Sequence, residues 1–493
     1  MPHASVINDA NSYTIPQILT IARQHPFYSP VKYPPSRDFV EDQEIDANLL
    51  LLRTQPIIRK KDLYATITRL ITSTHPSNTY NSSAYISVTG GGGGTSNPLY
   101  FSTDAFENRA QRASFGRLVN RVGVLGEGDV VLTTHSSGHF YRSLDLMLEI
   151  IENASASAFA ASNHMTPAEI IANLISLPVN TLTGDASQVV QTVHAISSLS
   201  STDRARIRLE KIVYTSEAFT KVQREYVREV LGRKVRICSI IGSAEAGPWG
   251  VSGEGLSWGE EDVGNGGTDF LVDRREMIVE IVPLDTDDQT EEENHAKNGV
   301  SNARGAATEE AQDSEQDKTI PHTLPQGEIG LVLQTSLVRL RNPLIRYMTG
   351  DVGSLHPLPP HAQSIIPADL LPHLYIVRIY GRDARFSLTW NGEYIEFAKI
   401  KAVMTDKRFG VLQWQVILDR LEGSREAAVE VRVLKDWSTQ VGTDSLEDTL
   451  KKLFVVFENI EYRFQIVYVK DLNGFERSST GRKVIKFLDR SDR

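Results

Sequence analysis

The chain predicts an α/β fold in two parts. A large multi-layer α/β domain spans residues 1–380, and a small α+β domain, residues 381–493, follows at a composition break. Three observations carry this. Short apolar runs alternate with helical patterns: Val130 to Thr134, Leu209 to Thr215 and Val235 to Gly242 read as buried strands, with a helix from Thr220 to Leu231 between the last two. Strand, helix, strand at that spacing suits a parallel sheet. After Gly381 the pattern changes to a β-β-α-β module: strands at Gln413 to Leu418, Ala428 to Leu434 and Gln465 to Val469, with a helix from Ser445 to Glu458 before the last. Finally, 493 residues are more than one core usually serves.

The remaining elements follow in order. Residues 12–72 read as mostly helical, broken by prolines between Pro26 and Pro35. Ala84 to Val88 alternates as a strand does, and Pro98 to Ser102 is also β-prone. Ile278 to Pro283 and Gly330 to Thr335 are strands on either side of an acidic stretch.

Composition narrows the function classes. The chain is 40% hydrophobic and 23% charged, and no run approaches the ~20 apolar residues of a membrane span. The N-terminus carries neither the basic nor the apolar region of a signal peptide, and the chain ends Arg490-Ser-Asp-Arg493, not in a peroxisomal tail. The single cysteine, Cys238, excludes an intrachain disulfide and a multi-cysteine zinc site, and its apolar neighbours place it in a core. A cytoplasmic protein without a membrane partner is expected. The net charge is −10, but Asp285 to Lys318 hold eleven acidic and three basic residues, a net −8, leaving −2 elsewhere. That stretch has no aromatics and few branched apolar side chains, so residues 285–320 read as a disordered surface insertion. A nearly neutral body with no basic stripe excludes a nucleic-acid partner. A homodimer is compatible with the sequence.

Five glycines, Gly90 to Gly94, lie between the two β-prone runs and are followed by Thr95 and Ser96. Glycine lets successive backbone N–H groups converge on one point, which suits phosphate oxygens, and it equally suits a hairpin tip or linker. Neither a Walker A loop nor a dinucleotide fingerprint fits: no Gly-Lys-Ser/Thr is present, and Pro98 with two aromatics argues against a following helix. Further on, Ile240 to Glu245 end an apolar strand in Gly242 and an acid. Leu344 to Asp351 carry an apolar run into Thr-Gly-Asp, where an Asp in a tight turn could accept two hydroxyl hydrogen bonds or simply close an Asx turn. Arg382 lies at the composition break, and Arg477 to Lys483 form a basic, glycine-containing loop.

Taken in order, the glycine loop, Ser216-Glu217-Ala218, Gly-Ser-Ala-Glu, Arg-Tyr-x-Thr-Gly-Asp, Gly-Arg and Arg-Ser-x-x-Gly-Arg-Lys resemble the acyl-adenylate-forming (AMP-binding) enzymes. Ile21 to Tyr28 and Thr54 to Leu63 are similar to the opening of the phenylacetate–coenzyme A ligase branch. The resemblance implies an ATP-dependent ligase that activates a carboxylic acid as its acyl-adenylate. The acyl group then passes to a thiol such as coenzyme A, or to an amine. It implies that Gly90, Gly91, Gly92, Gly93, Gly94, Thr95 and Ser96 wrap the ATP phosphates. Ser216, Glu217, Ile241 and Gly242 would line the adenine side, and Glu245 would bind Mg²⁺. Asp351 would hold the ribose hydroxyls and Arg382 the hinge. Arg482 or Lys483 would carry the late catalytic charge. His139, Phe140 and Trp249 are candidates for the acid pocket, although core packing explains aromatic residues equally well.

Several positions depart from the family pattern. Gly91, Gly92 and Gly94 replace hydroxyl residues of the phosphate loop, and Asn97 replaces its lysine. Ile241 stands where a tyrosine is usual, Ala244 where a hydroxyl residue is, Ala384 in place of the hinge acid, and Arg482 in register with the catalytic lysine. A hydrogen bond to a charged group contributes about 1.5–3 kcal/mol, so losing two would slow adenylation by roughly 10²- to 10⁴-fold unless compensated. A nucleotide- or acyl-binding pseudoenzyme is therefore the alternative to a ligase. A serine hydrolase using His135 or His139 is disfavoured, because no Gly-x-Ser-x-Gly elbow is present.

Overall fold

The computed structural model describes residues 12–42, 52–88, 99–138, 140–162, 164–216, 219, 221–258, 267–284, 286, 322–382, 387–421, 424, 426–435, 443–470, 474–476 and 486–491. The fold class is α/β, as expected. Packing groups the chain into two compact units, one of residues 1–86, 102–123 and 245–381, the other of residues 87–101, 124–244 and 382–493.

In the first unit, six strands lie in the order Met277–Val282, Gly330–Ser336, Tyr347–His356, Leu374–Arg382, Thr268–Asp273 and Gly247–Ser252. The pairings of Met277–Val282 with Gly330–Ser336, of Gly330–Ser336 with Tyr347–His356, of Thr268–Asp273 with Leu374–Arg382, and of Gly247–Ser252 with Thr268–Asp273 are antiparallel. The helix Ala105–Arg121 starts where Asp104 accepts from the Phe106 and Glu107 amides at 2.9 and 3.2 Å, a side-chain N-cap. It packs on the Gly247–Ser252 strand, where Gly247 has φ +72° and a Cβ would fall 2.4 Å from the Gln111 side chain. Only glycine meets both conditions. The N-terminal helix Ile15–Ala22 opens with a capping box between Thr14 and Gln17 and buries Ile18, Leu19 and Ile21 against Leu337, Leu340 and Ile345. Among the described residues of 12–72, the α-helices are Ile15–Ala22, Arg37–Asp42 and Lys60–Thr72.

The second unit holds five parallel strands in the order Ser157–Ala160, Val130–Thr133, Thr181–Asp185, Lys211–Thr215 and Arg236–Ser243. The run of short apolar strands predicted this, because a parallel strand is buried on both faces and needs no alternation. One face carries Leu132, Leu182, Ile212, Tyr214 and Ile237 into a core with the helices Pro167–Ser176, Ala186–Ser197 and Lys221–Leu231. Two of these helices begin in capping boxes, Thr166 with Glu169 and Asp185 with Gln188. Cys238 is buried, as its neighbours implied.

Residues 387–489 close a core of their own around Trp390, Val416, Val431, Leu446, Leu450 and Phe454. The strand order is Phe464–Tyr468, Ala427–Lys435, Val411–Arg420 and Phe487–Asp489. The predicted β-β-α-β pattern is therefore present but incomplete. A hairpin (Ser387–Trp390 with Glu393–Glu396), a helix (Phe397–Thr405) and the last strand add to it, and the helix in the middle ends at Leu453.

Candidate active site

Parallel strands present their carboxyl ends along one edge, and in α/β folds ligands bind there. In the second unit the register Thr133–Thr183, Asp185–Thr215 and Thr215–Ile240 aligns those ends. Ser216 follows one strand directly. Ile241 and Gly242 extend the next strand beyond its last pair with Lys211–Thr215, and Gly242 is exposed. The structure thus brings Ser216, Ile241 and Gly242 to one edge. Two residues past strands of this sheet are strained: Ser216, and Ser162 beyond the outer Ser157–Ala160 strand, have φ of +73° and +66°. Left-handed conformations in non-glycine residues are uncommon and are held by their surroundings, at this edge as at Ser83, Ser155, Arg346 and Val455.

Phe140, with φ +67°, is 69% exposed. Its carbonyl accepts from the Val88 amide at 3.4 Å, and its ring meets Tyr100 edge-on at 6.0 Å. A large aromatic this exposed is free to meet a ligand. Beneath the edge His135 is buried beside the Thr183 hydroxyl, 3.4 Å from Nε2, and burial pushes its imidazole down to about 4. At neutral pH it is an uncharged core residue. Gly184 is required where Thr134 crosses it, because a Cβ would stand 2.3 Å from the Thr134 hydroxyl oxygen. Tyr214, in the Lys211–Thr215 strand, turns inward: it is 1% exposed, stacks on Phe219 at 4.2 Å and accepts from Arg224 at 2.7 Å.

In the first unit Glu245 is 4% exposed. Its Oε1 accepts from the Tyr64 hydroxyl at 2.8 Å and the Tyr347 hydroxyl at 3.2 Å, and its backbone carbonyl accepts from Arg339. Burial, and then the Glu245 charge, push the Tyr64 phenol well above its ordinary value, so it stays a donor. Burial lowers Arg339 to about 10, and it remains a cation at neutral pH. Magnesium usually takes one or two carboxylates that face its water and phosphate ligands. Glu245 is instead placed as the acceptor of an interior network, and among the described residues no three His, Cys, Asp or Glu side chains cluster as a metal site. Among the described residues, Glu245 and its neighbours do not fit a magnesium site.

Thr349-Gly350-Asp351 is not the tight turn expected. It lies inside the Tyr347–His356 strand, where pairing slips from Leu331–Val352 to Leu333–Met348. The extra residues form a bulge, with Gly350 at φ +79°, the Thr349 hydroxyl donating to the Val332 carbonyl and the Asp351 amide donating to Thr349 Oγ1. Arg346 is 1% exposed. Its Nε donates to Glu280 at 3.1 Å and its Nη1 to the Arg53 and Gln55 carbonyls at 2.8 Å each. Trp249 is buried against Phe270, so it is core. Arg382 ends the Leu374–Arg382 strand. Gly90 to Gly94, Thr95, Ser96, His139, Glu217, Arg482, Lys483 and, apart from Thr286, the acidic insertion lie outside the described residues.

The sequence reading missed Tyr64, Tyr347 and Arg339 as the partners of Glu245, and nothing local marks them. It also missed Tyr394, whose hydroxyl donates to the Ser216 carbonyl at 2.8 Å. Here a signal exists, since Asn391-Gly392 between two alternating runs is a strong hairpin mark.

No protein-family model matches the chain, and no curated protein matches it in sequence. Solved structures do match. One is a 2-hydroxyisobutyryl-CoA ligase in complex with 2-HIB-AMP and CoA in the thioesterification state, with a TM-score of 0.62 and 17% identity over 99% of this chain and 91% of that one. The same ligase in the postadenylation state with 2-HIB-AMP matches with a TM-score of 0.50 and 16% identity over 99% and 94%. The amide bond synthetase McbA from Marinactinospora thermotolerans matches with a TM-score of 0.48 and 13% identity over 84% and 72%. Among the described residues no helix is long and apolar enough to cross a membrane. The chain has the fold of the acyl-adenylate-forming ligases.

Proposed function

We propose that this protein is an ATP-dependent ligase that activates a carboxylic acid as its acyl-adenylate and passes the acyl group to a thiol such as coenzyme A. The observation that carries the reading is the strained carboxyl edge of the parallel sheet, with Ser216, Ile241 and Gly242 side by side. A glycine there lets a flat base approach the backbone closely. In the reaction a carboxylate oxygen attacks the α-phosphorus and the bond to the pyrophosphate oxygen breaks. The thiolate then attacks the acyl carbon and AMP leaves. Such chemistry asks the protein mainly for positioning and for positive charge around the phosphates. Glycine-loop amides at 90–96 and the charge of Arg482 or Lys483 are assigned that task, Asp351 the ribose and Phe140 the acid. Magnesium would enter with the ATP phosphates, and no step here depends on a protein ligand for it. Residues 381–493, which close their own core, are read as the small mobile domain, with Arg382 at its joint.

The phenylacetate–coenzyme A ligase branch is the preferred relative on the N-terminal motifs, and an amine acceptor is the variant within the same chemistry. A second reading, binding without turnover, is favoured by Asn97 and by the glycines at 91, 92 and 94, which remove a charge and three hydroxyl positions from the phosphate loop.

Titrating Mg·ATP into the protein by calorimetry, beside Asp351→Ala, tests the assignment. Saturable binding that weakens at least tenfold in the variant is expected, followed by pyrophosphate release with a pooled set of aryl and alkyl acids. Binding without release under any acid would select the second reading. No binding, with or without acids, would sink both.

A further inference from the structure

The hairpin Ser387–Trp390 with Glu393–Glu396 holds one side chain still. Its strands pair without a slip from Ser387–Glu396 to Trp390–Glu393. Asn391 and Gly392 turn between them at φ +48° and +82°, the two-residue left-handed turn whose twist suits a hairpin. Trp390, Leu388 and Ile395 are buried in the core of residues 387–489, and the Trp390 indole N–H donates to the Phe454 carbonyl at 3.1 Å. Alternation along the strand puts Tyr394 on the face opposite Ile395.

Its hydroxyl reaches the Ser216 carbonyl at 2.8 Å across 178 positions of sequence. Ser216 is exposed, follows the Lys211–Thr215 strand and has φ +73°. Serine has no intrinsic preference for that conformation, so its surroundings must hold it there.

We propose that Tyr394 is a positioning residue for the nucleotide edge, its hydroxyl holding Ser216 in the left-handed conformation. Docking of the hairpin and readiness of the edge for nucleotide are then one event. This rests on the reading of that edge as the nucleotide site.

Tyr394→Phe keeps the ring and removes one donor. Ser216→Gly makes the left-handed conformation available without help. Calorimetric affinity for ATP should fall about five- to tenfold in Tyr394→Phe. Whatever the affinity of Ser216→Gly itself, adding Tyr394→Phe to it should cost less than twofold. A contact that merely holds the fold together would give the same loss in both backgrounds, and that result, or no loss in Tyr394→Phe alone, overturns the proposal. Hydrogen–deuterium exchange gives a readout that needs no ligand: amides of residues 211–216 should exchange faster in Tyr394→Phe. If the parent protein binds no ATP, the functional reading falls and exchange alone decides the role of Tyr394. Unchanged exchange at 211–216 would then reject its hold on Ser216.

Discussion

In residues 102–123 and 245–381 several charged side chains, among them Asp104, Arg341, Arg346 and Glu280, are buried and paired with one another, whereas residues 124–244 hold the mostly buried pair Lys211–Asp129 and take left-handed backbone at Phe140, Ser162 and Ser216. Around the helix Ala105–Arg121, Arg341 donates to Asp104 at 3.0 Å while the Leu340 and Arg341 amides donate to Glu107, and Arg346 locks Glu280 to the loop at residues 53–55. Such groups are costly to bury and costlier to leave unpaired, so this region has little freedom to serve a ligand. The parallel sheet buries mostly apolar and hydroxyl side chains, and past its strand ends Ser162 and Ser216 take left-handed conformations. The contrast separates motif residues that build the fold from those proposed to bind.

The sharpest way to break the contrast is at Arg346. Replacing it with Met leaves Glu280 buried without its cation, and a loss of about 3–5 kcal/mol in denaturant unfolding is expected. A loss under ~1 kcal/mol would show that the interior of this unit is not committed as described.

Glu107 comes next. Burial pushes its carboxyl up to about 7, with Asp104 adding to the effect. A carboxyl whose folded value is raised is protonated in the folded chain where the unfolded chain is ionised. Its contribution is therefore fully present below the unfolded value near 4.5 and is lost as pH rises towards about 7. Glu107→Gln should reduce the fall in unfolding free energy over that window by about 2 kcal/mol relative to the parent. An identical pH dependence in parent and variant would place the titration elsewhere, Glu276 being the other carboxyl that burial pushes up to about 7.

Tyr64→Phe removes one of two phenols from Glu245 Oε1 and should cost about 1 kcal/mol of stability, with a further loss when combined with Tyr347→Phe. Single and double variants of equal stability would dissolve the network. The smallest effect on stability belongs to the edge: Phe140→Ala, at an exposed ring, should change unfolding by less than ~0.5 kcal/mol while altering which acids are accepted. Acid selectivity that does not change would remove Phe140 from the pocket.

The sequence by itself determined the class of the fold, and the strands it read lie within two residues of strands that form, because periodicity and turn glycines act locally. The parallel strands at Val130–Thr133, Lys211–Thr215 and Arg236–Ser243 were legible as short apolar runs. Of the candidate site, the strand end at Ile240 to Glu245 was legible in the same way, whereas Ser216 was named only by the family resemblance. What Glu245, Arg346 and Trp249 do was decided only by the tertiary structure. A motif shows that a charge is present. Whether it faces ligand or interior depends on partners such as Tyr64, Arg339 and Glu280, which lie 66 to 181 positions away in the chain. The bulge at Thr349–Asp351 and the reach of Tyr394 to Ser216 are of the same kind: strand register and long-range contact follow from how distant segments pack, and no local pattern encodes them.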